Sequence, residues 1–306
     1  VPVAAIDIGT NTTRLIVAEI SGSSLEERER RTEITRLGEG VDRSGLLSEA
    51  GIERVHETVA RYVEIADEHR AACVLAIATS AVRDASNGEE FLHGLESRFG
   101  LRVRLLSGNE EALLAFRGAT HGRKLKGCVL VVDIGGGSTE LVLGDASGPS
   151  FHVSLDVGAV RLTERYLHSD PPGIDELDHC STAVRELLVD RIPAEVLRAP
   201  RSAIGNAGTI TTLAALDQRL PAYDRDRVHG YSLSRHAVHE QLVRLASLPL
   251  TERRQVPALE PDRAPVIVAG TIVCRELLDA FALEAIEASE LDILDGAALL
   301  AAELGA

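Results

Sequence analysis

The stretch Val132-Asp133-Ile134-Gly135-Gly136-Gly137-Ser138-Thr139-Glu140 decides the fold, because its Asp-Ile-Gly core occurs once before, in Ile6-Asp7-Ile8-Gly9-Thr10-Asn11-Thr12-Thr13. Each copy follows an apolar run and precedes small hydroxyl residues. At 306 residues the chain exceeds the length at which one hydrophobic core usually stops growing. Two domains, each opening on one copy, are therefore expected.

The pattern around the copies agrees with that count. Residues 3–8 and 14–20 read as strands around a Gly-Thr-Asn turn, which makes a hairpin. The charged segment 25–37 reads either as a helix or as the third strand of a meander. Ile52, Val55, Val59, Tyr62, Val63 and Ala66 recur at spacings of three and four, predicting an amphipathic helix over 48–69. A strand at 72–78, a helix near 88–99, a strand at 101–106 and a helix from Gly108 to about 119 follow. After the basic connector at 121–127 the order restarts with strands at 128–134, 139–143 and 150–156. Helices near 158–168 and 175–190, a strand at 201–205, helices at 209–219, 234–247 and 263–281, a strand at 284–288 and a helix from about 292 complete it. The architecture is duplicated where the sequence is not, which predicts two α/β lobes facing each other across a cleft.

Composition narrows the chemistry. Apolar residues make up 45% and charged residues 26%, ordinary globular values, and no apolar run reaches the roughly 18 residues of a membrane span. A soluble protein with no membrane partner is expected. The opening residues lack a basic segment and Asp7 interrupts their apolar run, so the expected location is cytoplasmic. Cys73, Cys128, Cys180 and Cys274 are scattered with no C-x-x-C pair, which predicts reduced and mostly buried thiols. A net charge of -15 argues against nucleic acid as a partner and requires any anionic substrate to meet a local positive site.

The glycine turns can supply such a site. Glycine lets backbone N–H groups converge on an anion while Thr or Ser hydroxyls add donors, so Gly9, Thr10 and Asn11 form one candidate phosphate cradle and Gly135, Gly136, Gly137 and Ser138 another. Each turn also reads as no more than a tight hairpin. A carboxylate beside a phosphate needs a cation between them, and Mg²⁺ (or Mn²⁺) at Asp7, Asp133 and Glu140 is the natural bridge. A third glycine element at 204–213 follows a strand and opens a helix, where Gly208 and Thr209 either bind an anion or simply cap the helix. H-E-x-x-H, G-x-S-x-G and G-x-x-x-x-G-K-[ST] motifs are all absent, which removes protease, esterase and P-loop readings.

Seven segments, in order along nearly the whole chain, carry a specific resemblance: AIDIGTNTTRLIVAEI (5–20), ATSAVRDASN (78–87), LLSGNEEALLAFRGA (105–119), VVDIGGGSTELVLG (131–144), GNAGTITTLAAL (205–216), VHGYSLS (228–234) and PDRAPVIVAGTIV (261–273). The chain resembles the exopolyphosphatase and guanosine pentaphosphate phosphohydrolase family of the sugar kinase, actin and Hsp70 superfamily. The resemblance implies two ribonuclease H-like, actin-like ATPase lobes of mixed sheets flanked by helices, one over 1–120 and one over 121–290. The helix over about 291–306 is expected to return to the first.

It further implies removal of the terminal phosphate of inorganic polyphosphate, with Glu111 as the base that activates water and Glu140 as a second catalytic carboxylate. A carboxylate crowded by phosphoryl charge is a suitable proton acceptor, although Glu110 and Glu111 also suit the first turn of a helix on propensity alone. Arg14 and Arg83 match positions that approach phosphate, where a guanidinium grips two oxygens at once. Guanosine pentaphosphate is the alternative substrate within the family, guanosine tetraphosphate a further ligand, and a homodimer the family expectation. Because the chain ends at Ala306, the resemblance is to the short two-domain form, with shorter polyphosphate preferred. A kinase of the same superfamily and a non-catalytic alarmone or polyphosphate sensor are the readings from other classes.

Overall fold

The computed structural model describes residues 1–21 and 24–305. The chain divides into two compact units, the first comprising Val1–Lys124 with Leu291–Ala306 and the second Leu125–Glu290.

In the first unit β1 (Pro2–Ile8), β2 (Thr12–Ser21) and β3 (Ser24–Ile34) form an antiparallel meander, so the charged 25–37 segment is largely strand. The short helix α1 (Val41–Ser44) and α2 (Glu49–Glu68) precede β4 (Val74–Ala78), and α3 (Ser80–Asp84) and α4 (Gly88–Phe99) precede β5 (Arg102–Leu105) and α5 (Gly108–Thr120). The sheet order is β3-β2-β1-β4-β5, with β4 and β5 parallel to β1. Strand alternation gives the sheet two apolar faces. Ala4, Ile6, Ile8, Leu15 and Val17 pack with Val55, Val59 and Tyr62 of α2, while Val3, Ala5, Ile16, Leu75 and Ile77 pack under α5 and the C-terminal helix.

The second unit repeats the plan. It runs β6 (Val129–Ile134), β7 (Thr139–Asp145), β8 (Gly148–Leu155), α6 (Ala159–Tyr166), α7 (Ile174–Arg191), α8 (Ala194–Leu197), β9 (Ser202–Asn206), α9 (Ala207–Asp217), α10 (Arg225–Val228), β10 (Ser232–Ser234), α11 (Arg235–Ser247), α12 (Leu250–Arg253), α13 (Ile267–Ala280) and β11 (Ala285–Ala288). Its sheet order, β10-β11-β9-β6-β7-β8, is the first order again with β10 added at the edge. The short β10 and the helices of four or five residues fall below the length at which periodicity can be read, and none was expected from sequence.

The chain re-enters the first unit with α14 (Ile293–Gly305); Ala306, the last residue of the expected helix, lies outside the described residues. Helix α14 lies against α5 at two glycines. A Cβ on Gly118 would overlap Asp292 O, and one on Gly296 would overlap Leu114 O. Backbone therefore meets backbone there, which fixes α5 and the residues it carries.

Burial pushes the Cys180 and Cys274 thiols up to about 12, whereas Cys73 and Cys128 are only partly buried. Alkylation of the native protein at mildly alkaline pH should modify Cys73 and Cys128 first, with Cys180 and Cys274 reacting only after unfolding. Peptide mapping by mass spectrometry checks this, and native labelling of Cys274 at the rate of Cys73 would contradict it.

Candidate active site

The two Asp-Ile-Gly turns are the same structure, 126 residues apart. Gly9 N donates to Thr12 O at 2.9 Å, and Gly135 N donates to Ser138 O at 3.0 Å. The turn carbonyls are tied inward in both. Thr10 O accepts from Gly38 N, and Asn11 O from Thr35 N and Arg36 N; Gly135 O accepts from Ala159 N, and Gly136 O from Val160 N and Arg161 N. Arg161 Nε closes the set on Gly137 O at 2.7 Å. With the acceptors occupied by protein donors, each turn is left to present N–H groups, as an anion cradle requires. The Thr10 and Ser80 hydroxyls are hydrogen-bonded to each other at 2.9 Å.

The ladders beside the turns differ in charge. Asp7 is the register partner of Arg14, whereas Asp133 is the partner of Glu140. Arg14 Nε and Nη2 donate to Asp7 Oδ2 at 3.0 and 2.6 Å, and its Nη1 donates to Asp292 at the start of the C-terminal helix. Burial raises the Asp7 carboxyl above its ordinary value in spite of Arg14. Burial also works to raise Asp292, yet Arg14 and Arg30 hold it below. The second unit instead buries two carboxylates side by side, with Asp133 7% and Glu140 2% exposed. Like charges directly opposite in a ladder are destabilising. Ser154 Oγ donates to Glu140 Oε1 at 2.7 Å, which supports that carboxylate without neutralising it.

Among the described residues no group of three or more His, Cys, Asp or Glu is arranged to hold a metal. The Asp133–Glu140 pair nevertheless fits Mg²⁺, which takes one or two carboxylates and fills its remaining positions with water and phosphate oxygens.

Glu111 is buried in the first turn of α5, with Arg83 Nη1 3.3 Å from its Oε2. The same Arg83 nitrogen donates to Leu106 O at 2.9 Å, fixing the guanidinium. Helix capping falls to the neighbour. Glu110 and Ser107 form a reciprocal capping box, and the backbone N–H of Ser107 holds the Glu110 carboxyl below its usual range. Glu111 is thus free of the capping duty that propensity alone could have assigned it.

At the third glycine element Ala207 adopts φ +62°, a left-handed conformation that L side chains rarely take, and opens α9. Gly208 lies against the Arg263 guanidinium, which occupies the space a Cβ would need, and Thr209 is buried against Gly270.

A model of the Ppx/GppA phosphatase family matches residues 15–299. The chain belongs to that family. Exopolyphosphatase 2 of Mycobacterium tuberculosis is 39% identical over 311 residues, covering 97% of each chain. A solved Ppx/GppA structure from Aquifex aeolicus superposes with a TM-score of 0.83 at 33% identity, over 99% of this chain and 97% of the other. An exopolyphosphatase structure from Cytophaga hutchinsonii gives 0.89 at 26% identity, over 97% and 96%. Two mixed sheets flanked by helices are thus the Ppx/GppA fold, and no helix of the described residues is long and apolar enough to cross a membrane.

Sequence reasoning nominated the Ppx/GppA turns and carboxylates but passed over Ser80, Arg161, Asn206, Arg263 and Asp292. Ser80, Asn206 and Arg263 stand inside the family-like segments 78–87, 205–216 and 261–273, so the segments carried the signal and the choice of residue within each did not. Asp292 gave no such sign.

Proposed function

We propose that this chain is an exopolyphosphatase that hydrolyses the terminal phosphate of inorganic polyphosphate with Mg²⁺ or Mn²⁺. The observation that carries the reading is the buried Asp133–Glu140 pair, two carboxylates set opposite each other in the ladder beside the second glycine turn. Its support from kinship is the 39% identity to a relative named exopolyphosphatase 2 over almost the full length of both chains.

Glu111 accepts the proton of the attacking water, and its ion pair with Arg83 keeps the carboxylate oriented. The turn N–H groups of Thr10 and Asn11 and of Gly136, Gly137 and Ser138 donate to phosphate oxygens, as do the N-terminus of α9 at Gly208 and Thr209 and the adjoining Arg263. A divalent cation held by Asp133 and Glu140 supplies charge compensation on the phosphoryl oxygens when bound. Arg14 orders the first turn by bridging Asp7 and Asp292.

Phosphate release from defined-length polyphosphates, guanosine pentaphosphate and ATP, each with Mg²⁺ and with a chelator, tests the reading. Release from polyphosphate without an acceptor, abolished by chelation, is expected. Release that requires an acceptor molecule would indicate a kinase, and no release from any of them would remove the enzymatic reading.

A further inference from the structure

The two units are internal controls for each other, because the same three-strand row crosses both sheets beside the Asp-Ile-Gly turn. In the first unit the row reads Arg14–Asp7–Ile77 across β2, β1 and β4. In the second it reads Glu140–Asp133–Asn206 across β7, β6 and β9. Register partners project from the same face of a sheet, so Asn206 shares a face with the two carboxylates.

Ile77 is a fully buried apolar residue of the core under α5 and α14, so this fold needs no amide at that place. Asn206 is 0% exposed, and neither its Nδ2 nor its Oδ1 has a hydrogen-bond partner. It occupies the N-cap position of α9, yet its side chain does not cap the helix. A buried amide without partners is destabilising, and nearly all such groups in folded proteins are satisfied. An amide that serves neither the sheet nor the helix, in a row with two facing carboxylates, is matched to something the chain itself does not supply.

We infer that Asn206 is a positioning residue for the cation at Asp133 and Glu140, with its side-chain amide bonding to the cation's hydration shell. Mg²⁺ keeps several waters when protein-bound, and groups that hold such waters or orient ligands typically contribute 10- to 100-fold to metal affinity. The assignment rests on the cation reading above and adds a residue that phosphate cradles and catalytic carboxylates do not account for.

Titration of the full chain with Mn²⁺ or Mg²⁺ alone, without polyphosphate, tests it by calorimetry and by the cation-induced shift in melting temperature. Asn206→Leu removes the amide and places at this position the kind of side chain that Ile77 has in the first unit. In chelator the variant should melt at or above the wild-type temperature, because an unsatisfied buried group is gone. Its cation affinity should fall about 10- to 100-fold. Asn206→Ala carries the same affinity expectation should leucine not be accommodated. Wild-type binding with either folded variant within twofold of it would overturn this inference while leaving the cation site intact. A wild-type chain that binds neither cation would overturn both.

Discussion

Glu111→Gln is expected to lower phosphate release from polyphosphate by about 10²- to 10⁴-fold, the usual contribution of a positioned general base. The substitution keeps size and leaves an amide oxygen able to accept from Arg83, so the local packing of α5 should survive. Polyphosphate binding and melting temperature should stay near their wild-type values, since binding rests on the turn donors and stability on the core. Single-turnover rates measured beside equilibrium binding separate the two effects. A decrease smaller than about tenfold would return the base to another residue. Glu110→Ala provides the contrast. It removes the side-chain acceptor of a capping box, so its effect should appear in stability and leave turnover largely unchanged.

The largest expected effect on stability comes from Arg14→Met. The change removes the cation shared by Asp7 and Asp292, both buried, and breaking a buried pair on one side typically costs about 3–5 kcal/mol. Urea denaturation measures it, and a loss below about 1 kcal/mol would show that these carboxylates find other compensation. The effect should depend on pH in a definite direction. Asp292 titrates below its ordinary value of 3.8 in the folded chain, so its pairing contributes stability that is present at neutral pH and lost as pH falls through the folded value. Without Arg14 much of that contribution is gone at every pH. The gap between variant and wild type should therefore be widest near neutrality and narrow in acid.

Arg14 also marks where reading a sequence stops being sufficient. Its place after the first glycine turn suggested a hand on phosphate; the structure adds that its three guanidinium nitrogens are engaged by two carboxylates, one of them 278 residues away. Glu111 was legible only through family resemblance. By propensity it and Glu110 are equivalent first-turn residues, and the hydrogen bonds to Ser107 assign the capping role to Glu110. The charged segment 25–37 illustrates the same limit in the fold. Its composition favours helix, and pairing with β2 along nearly its whole length makes it a strand.

The sequence by itself determined the duplication, the two Gly-rich hairpins, the order of the larger strands and helices, and the carboxylates and cradles worth testing. These are written in local periods and turn chemistry, which act over a few residues. Only the tertiary structure decided how the two copies differ. Across the ladder Asp7 meets an arginine and Asp133 meets a glutamate, while the third place in the row is an isoleucine in one unit and a buried asparagine in the other. The reason is physical. The balance of a buried charge depends on which side chains the register and the returning C-terminal helix bring against it; Arg14 and Glu140 lie within the same hairpin as their partners, but Ile77, Asn206 and Asp292 lie too far along the chain for any local pattern to record.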